Sequence, residues 1–253
     1  MIDNTLLDMR KMCLLFSALV GVIATKGWSI DFSTSFPANC RQVALVTTPG
    51  WSSSTGTLRR FERRDERAQW QIAGNPVTVL LGKHGLGWGL GLSPIPSDVG
   101  PRKAEGDLRS PAGVFAFGEA FGTVPHSEVP WVRMSYRPLT PTTEGVDDPA
   151  SRFYNQIVDR AHIATPDWHS SEHMWIVPAY KLGIVIAANP QCIPKASSCI
   201  YLHLWMPGHT GTVGCTALHP PDLADLLRWL DPGKQPVIIQ LPESIAHTSL
   251  TGF

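Results

Sequence analysis

Two residues in the window Ile200–Pro232, IYLHLWMPGHTGTVGCTALHPPDLADLLRWLDP, have the types and spacing for covalent chemistry: His203 and Cys215. A thiol attacks a carbonyl only as the thiolate, and a neighbouring imidazole is the usual means of producing one. Pro207, Gly208 and Gly211 let the chain double back between the two, so a strand histidine and a later cysteine can meet. Gly214 brings a bare backbone directly before the sulfur. Backbone N–H groups around Cys215 are therefore candidates for holding a developing oxyanion. A helix beginning soon after Cys215 would favour the anion further. Taken singly, a cysteine is more often a small buried apolar residue and a strand histidine a satisfied core group. The combination points to nucleophilic catalysis. His209 and His219 raise a zinc alternative, but no CxxC or HxxxH pair is present, and no metal is expected.

The elements that must position this pair are mostly short strands. QVALVT from Gln42, TLRRFER from Thr57, Trp70 to Ile72 and Val77 to Leu81 have strand composition or alternation. The glycine-rich stretch Gly85 to Pro96 predicts a loop packed by Trp88. A phosphate-cradling role would need a following helix, and Pro94 and Pro96 stand there instead. Val114 to Phe117, Trp131 to Ser135, Tyr180 to Ala188, Ile200 to Leu204 and Val237 to Leu241 predict further strands, and 137–150 a loop. Leu223, Leu226, Leu227 and Leu230 fall at helical spacing between Pro220-Pro221 and Asp231-Pro232-Gly233, which start and stop the one predicted helix. Nine or ten strands and one helix make a single mostly β (α+β) domain, a sandwich or distorted barrel, over residues 38–243. Residues 244–253 are left as a tail.

The ends and the composition narrow the setting. Arg10 and Lys11 precede an apolar run from Leu14 to Ala24, and Thr25, Lys26 and Gly27 break it. That is the layout of a secretory signal over residues 1–28, with an N-terminal anchor as the alternative. An exported protein, periplasmic or associated with the cell wall, is expected, with any membrane contact made through that segment. The 21 basic and 21 acidic residues balance, so no nucleic-acid partner is expected. Export permits disulfides. Cys192 and Cys199 flank a short turn suited to a local bridge, with Cys40 either a spare thiol or a partner for one of those two.

The same window resembles the YkuD-type L,D-transpeptidase family. His203 falls at that family's strand histidine, and Thr212-Val213-Gly214-Cys215 falls at its Ser/Thr-x-Gly-Cys loop. The resemblance is to a divergent branch with Thr-x-Gly-Cys in place of Ser-His-Gly-Cys. GLGWG, GDLRSPAGVF, DDPASRFYN (Asp147 to Asn155) and DWHSSEHM (Asp167 to Met174) extend it, in order, over most of the chain after about residue 40. It implies a β-rich catalytic domain, no cofactor, and peptidoglycan stem peptides as substrate. Cys215 would be the nucleophile, His203 the general base, and the Gly214 and Cys215 backbones the oxyanion donors. A Cys thioester formed by cleaving an L–D bond would pass its acyl group to an amine and cross-link the wall. The alternatives are a hydrolase with the same pair, or an inactive wall-binding protein. A monomer is expected. Two departures stand out: Val213 where many members have His, and Ala217 where many have Arg or Asn.

Substrate contacts are expected from Trp168, Glu172, Tyr154, Asn155 and Thr212. Glu172 is either a surface charge or a groove carboxylate facing the ammonium of a diaminopimelate side chain. Trp168 either covers the core or lines that groove, and Asn155 is otherwise a turn residue. Asp147 and Asp148 form either an acid–base pair or a turn cap.

Overall fold

The computed structural model describes residues 35–249. The predicted signal segment, residues 1–28, lies outside them. The chain lays down β1 (Gln42–Thr48), β2 (Thr55–Glu62), β3 (Gln71–Ile72), β4 (Val77–Leu80) and β5 (Leu86–Trp88). Then come the long β6 (Ser110–Gly122), β7 (Tyr136–Pro138), β8 (Thr143–Val146), β9 (Gln156–Asp159) and β10 (Ser171–His173). The last part holds β11 (Gly183–Ile186), β12 (Tyr201–Leu204), β13 (Thr216–Leu218), helix α1 (Pro220–Trp229), β14 (Val237–Pro242) and helix α2 (Glu243–Ser249).

Eight strands close a ring in the order β1-β14-β6-β11-β12-β13-β4-β2, and β2 pairs back onto β1. Closure leaves no open strand edge in the ring. Two junctions are parallel, β1 with β14 and β12 with β13. A second sheet, β10-β8-β9, is antiparallel and carries Glu172. The domain is thus the mostly β, barrel-like fold expected.

The core explains the strand composition. Val43, Phe115, Ile184, Leu202, Val237 and Ile239 are fully buried in one cluster with Leu223, Leu226 and Leu227 of α1. Their i, i+3, i+4 spacing puts one apolar stripe of α1 on the barrel. Each such leucine contributes about 1.5–3 kcal/mol on burial. Among the described residues no helix is long and apolar enough to cross a membrane.

Several expectations need correcting. β5 lies inside the predicted Gly85–Pro96 loop, where Gly85 (φ +80) has no room for a side chain: a Cβ would sit 2.1 Å from the Trp51 carbonyl oxygen. β7 and β8 lie in the predicted 137–150 loop, and no strand forms over 131–135. Tyr180 belongs to a 3₁₀ turn ahead of β11 rather than to the strand. The expected tail contains helix α2.

A polar strut crosses the barrel interior. The Thr216 hydroxyl donates to Gln240 Oε1 at 2.6 Å, and Gln240 Nε2 donates to the Pro111 carbonyl at 2.9 Å. Both side chains are fully buried, so neither partner has water as a substitute. The strut ties the strand after Cys215 to β14 and β6. Gln240→Leu should leave the Thr216 hydroxyl and the Pro111 carbonyl unpaired and lower unfolding free energy by about 1–3 kcal/mol. Urea denaturation would show it as a lower midpoint at unchanged slope.

Candidate functional site

Cys215 directly precedes β13, which runs parallel to β12 with Ala217 opposite His203 and Thr216 opposite Leu202. Paired residues share a face of the sheet, and so do residues two apart on one strand. His203, Ala217 and Cys215 therefore face the same way, into a cavity of about 230 Å³ that both His203 and Cys215 line. The backbone beside the sulfur is fixed from two sides. The Cys215 carbonyl accepts from Ser110 Oγ at 2.9 Å and from Thr212 Oγ1 at 2.5 Å. Thr212 Oγ1 also accepts from the Gly214 N–H at 3.2 Å. Thr212 thus staples the loop, and in this state the Gly214 N–H points at it.

The sulfur sits on a residue that is 5% exposed. It accepts from the Tyr201 N–H at 3.3 Å and faces the Cys199 carbonyl at 3.4 Å. It nonetheless lines a second cavity, of about 390 Å³, with Lys103, Glu105, Asp147, Glu172 and Tyr180. Val213, 69% exposed, borders both cavities. Burial, and then the charge of Glu172, push the thiol up to about 12; the Tyr201 N–H, Lys103 and the Tyr180 hydroxyl act the other way. The resting group is the thiol.

His203 Nδ1 lies 2.9 Å from the Leu204 carbonyl. A carbonyl only accepts, so Nδ1 carries the proton and Nε2 has the free lone pair. Burial holds the imidazole below its ordinary pKa, opposed by the Leu204 carbonyl and reinforced by His209. At pH 7 the ring is neutral and basic at Nε2. No hydrogen bond joins it to the sulfur among the described residues. A strand, β13, intervenes between Cys215 and α1, so the helix N-terminus expected beside the thiolate is not there. His219 stacks on Trp205, 4.5 Å between ring centroids, and no group of three metal-ligating side chains forms among the described residues.

The other expected contacts divide. Glu172 lines both cavities and accepts from the Tyr180 hydroxyl at 2.7 Å. Burial raises its pKa, and Asp147 adds to this against the Tyr180 hydrogen bond. Trp168 is buried in a satellite cluster with Val146 and Val158, and its Nε1 donates to Glu144 at 2.6 Å. It borders neither cavity. Tyr154 is buried, with its hydroxyl on Glu105 Oε2 at 2.5 Å; Ser198 donates to the same oxygen at 2.8 Å. Asn155 gives both amide hydrogens to the Ala188 and Asn189 carbonyls and accepts the Cys199 N–H at 2.9 Å. These two hold the walls rather than face the thiol. Asp147 and Asp148 separate: Asp148 accepts the Ala150 and His169 N–H groups, whereas Asp147 lines the larger cavity.

Sequence reasoning missed Lys103, Glu105 and Tyr180. Lys103 is buried, with Nζ 2.5 Å from Asp107 Oδ1. The only available signal was chemical: a buried lysine or tyrosine hydroxyl requires a partner. All four described cysteines are free thiols, so Cys192 and Cys199 are not bridged. Buried Cys40 has its thiol pushed up to about 11, mainly by burial.

The family model of the L,D-transpeptidase catalytic domain (YkuD) matches residues 71–239. The match takes in both strands of the thiol–imidazole pair and leaves β1 and β2 outside. No curated protein and no solved structure matches the chain.

Because Trp168 stands in the wall, Trp168→Phe should cost about 1–3 kcal/mol of stability through the lost indole hydrogen bond to the buried Glu144 carboxylate, which keeps the Ser171 hydroxyl on the same oxygen. Chemical denaturation measures that loss. The rate at which a thiol reagent labels Cys215 should stay unchanged.

Proposed function

The chain belongs to the L,D-transpeptidase catalytic-domain family, and we propose that it acts on peptidoglycan stem peptides with Cys215 as nucleophile and His203 as general base. The observation that carries this is the placement of thiol and neutral imidazole on one face of two parallel neighbouring strands, around one cavity.

In the first half-reaction Sγ attacks the carbonyl of an L–D peptide bond. His203 Nε2 takes the Sγ–H proton as the C–S bond forms; the C–N bond then breaks, the departing amine takes that proton from the imidazolium, and a thioester remains on Cys215. In the second, an amine attacks the thioester and loses its proton to His203 Nε2. The C–S bond breaks, and the leaving sulfur takes that proton from the imidazolium, which restores the thiol and the neutral ring. A neutral imidazole with its Nδ1 proton anchored on Leu204 suits both transfers. The N–H groups of Gly214 and Cys215 are the proposed oxyanion donors. For Gly214 this requires leaving the Thr212 hydroxyl as the substrate oxygen arrives.

The larger cavity fits the substrate class. Glu105, Asp147 and Glu172 give it negative charge suited to the ammonium of a diaminopimelate side chain, and Lys103 offers a cation for a carboxylate. Ala217, opposite His203, leaves the substrate carboxylate without the Arg or Asn that many family members carry. Lys103 is the proposed substitute. We further propose, from the N-terminal basic and apolar segment, that the protein is exported to the periplasm or wall and works there as a monomer.

Incubation with tetrapeptide-containing muropeptides should release the terminal D-amino acid, join an acceptor amine, and add the acyl mass to Cys215. Products shortened but never joined would assign the hydrolase. Cys215→Ala should abolish both the adduct and turnover, and His203→Ala should lower turnover about 10²–10⁴-fold. Identical product profiles from wild type and Cys215→Ala would end the proposal. A carbapenem should acylate the same cysteine, read by intact mass.

A further inference from the structure

The proton that leaves with the substrate amine fixes where the departing half of the substrate sits. Its nitrogen takes that proton from His203 Nε2, so this half lies on the histidine's side of the sulfur. Of the two cavities that Cys215 lines, the smaller, of about 230 Å³, has His203 in its wall. We propose that Lys83, in the wall of the same cavity, is a specificity-determining residue that binds the terminal carboxylate of the departing D-amino acid. The inference rests on the functional reading above and adds which bond is cut: the last one, in a peptide that ends as a free acid.

Lys83 is held against the return that carries Cys215. Its N–H donates to the Thr212 carbonyl at 2.9 Å, and Gly82 bridges Thr212 in parallel. A Cβ on Gly211 would come within 2.7 Å of Lys83 Cγ. The bare glycine thus lets the lysine stem lie on the loop, with its charged end left for the cavity. Among the described residues lining that cavity, Lys83 is the one that carries an ammonium, and Glu172 is the one carboxylate. The ammonium has no carboxylate of its own. Lys103 and Lys234 are paired with Asp107 and Glu62, whereas Lys83 makes no ion pair among the described residues.

Size and connectivity select the ligand. Cavities that take drug-sized molecules run to roughly 300–1,000 Å³. This one is smaller and suits a single small amino acid, with Leu80, Val177, Leu204 and Ala217 as apolar wall for a methyl side chain. In a terminal amino acid the carboxylate hangs on the carbon that bears the departing nitrogen. The group that protonates that nitrogen and the cation that holds that carboxylate must therefore share one small space. His203 and Lys83 do. Lys103 stands in the larger cavity, so the carboxylate it would meet belongs to the acyl half of the substrate. An internal peptide bond, or a peptide that ends as an amide, offers Lys83 no charge.

Two measurements on the full chain test the site, the first without turnover. D-alanine or D-alaninamide is titrated in at fixed pH while NMR follows the His203 ring. D-alanine should move the His203 signals and D-alaninamide much less. Lys83→Met should lose the D-alanine response, and Lys83→Arg should keep it. In the second, kcat/KM is compared for a stem tetrapeptide ending in the free acid and for the same peptide ending in an amide. Wild type should favour the acid about tenfold or more, the worth of a hydrogen bond between charged groups, and Lys83→Met should bring the ratio close to one. A general structural defect lowers both rates and keeps the ratio, so that result from Lys83→Met would overturn the assignment. Equal responses to D-alanine and its amide, no response to either, or a Lys83→Met protein that still separates them would overturn it as well. A chain whose His203 signals answer D-alanine through Lys83, yet which turns over no stem peptide, would remove the functional reading and leave the carboxylate site standing. Turnover of acid and amide alike would do the reverse.

Discussion

The parallel pairing of β12 with β13 is the constraint on which the site depends. Two parallel neighbours cannot be joined by a tight hairpin; the chain must leave one strand, travel back, and enter the next from the same end. Here the return spans Trp205 to Cys215, with Gly208 in the left-handed region (φ +79) and Gly211 packed against Lys83 where a Cβ would meet Lys83 Cγ at 2.7 Å. The return delivers Cys215 to the start of β13 with its sulfur on the Tyr201 N–H of β12, while His203 follows two residues on. An antiparallel hairpin would reverse the second strand and could not place thiol and imidazole in this offset. The Thr216–Gln240 strut and the Ser110 and Thr212 bonds to the Cys215 carbonyl then hold that entry point against the opposite wall.

What the sequence disclosed follows from this division between local and distant causes. β1, β2, β12, β14 and α1 were legible because their signals are local: apolar runs, alternation, and a leucine stripe between proline start and stop residues. The cysteine and histidine were legible for the same reason, in a short window with glycines where the return needs them. β8, Thr143–Val146, was not, because its sequence TEGV sits among prolines and threonines. It is strand only because β9 and β10 flank it from 156–159 and 171–173. β13 was hidden between the cysteine and the helix, too short to show a period. The helix starts at Pro220 as expected, but the unseen β13 sets that N-terminus one strand beyond the sulfur. Trp168, Tyr154 and Asn155 looked like groove residues because polar and aromatic types suit both a ligand and a wall. Only their partners, Glu144, Glu105 and the Cys199 amide, decide between the two.

Burying the nucleophile has a consequence for its resting chemistry. Water normally stabilises a thiolate, and at 5% exposure Cys215 has almost none, so its thiol form is favoured well above neutral pH. Since oxidation of cysteine follows thiolate character and access, a protonated and covered sulfur is the less vulnerable state. The same burial makes every fixed dipole and charge around the sulfur count for more than it would in water. The Tyr201 N–H, Lys103 and the Tyr180 hydroxyl are therefore the groups that decide how far the thiol can be drawn toward ionisation, and Glu172 is the one that opposes them while charged.

That opposition links the acidic character of the larger cavity to the state of the sulfur. Glu172 lines both cavities and lies between Asp147, whose charge raises its pKa, and the Tyr180 hydroxyl, which lowers it. Any event that neutralises Glu172, by a proton or by a cationic group settling among Glu105, Asp147 and Glu172, removes the charge that most strongly disfavours the thiolate after burial itself. Substrate charge and nucleophile charge are thus coupled through one carboxylate. A barrel whose walls fix the backbone so firmly has little freedom to activate the cysteine by moving it, and this electrostatic coupling acts on the sulfur without a change of fold.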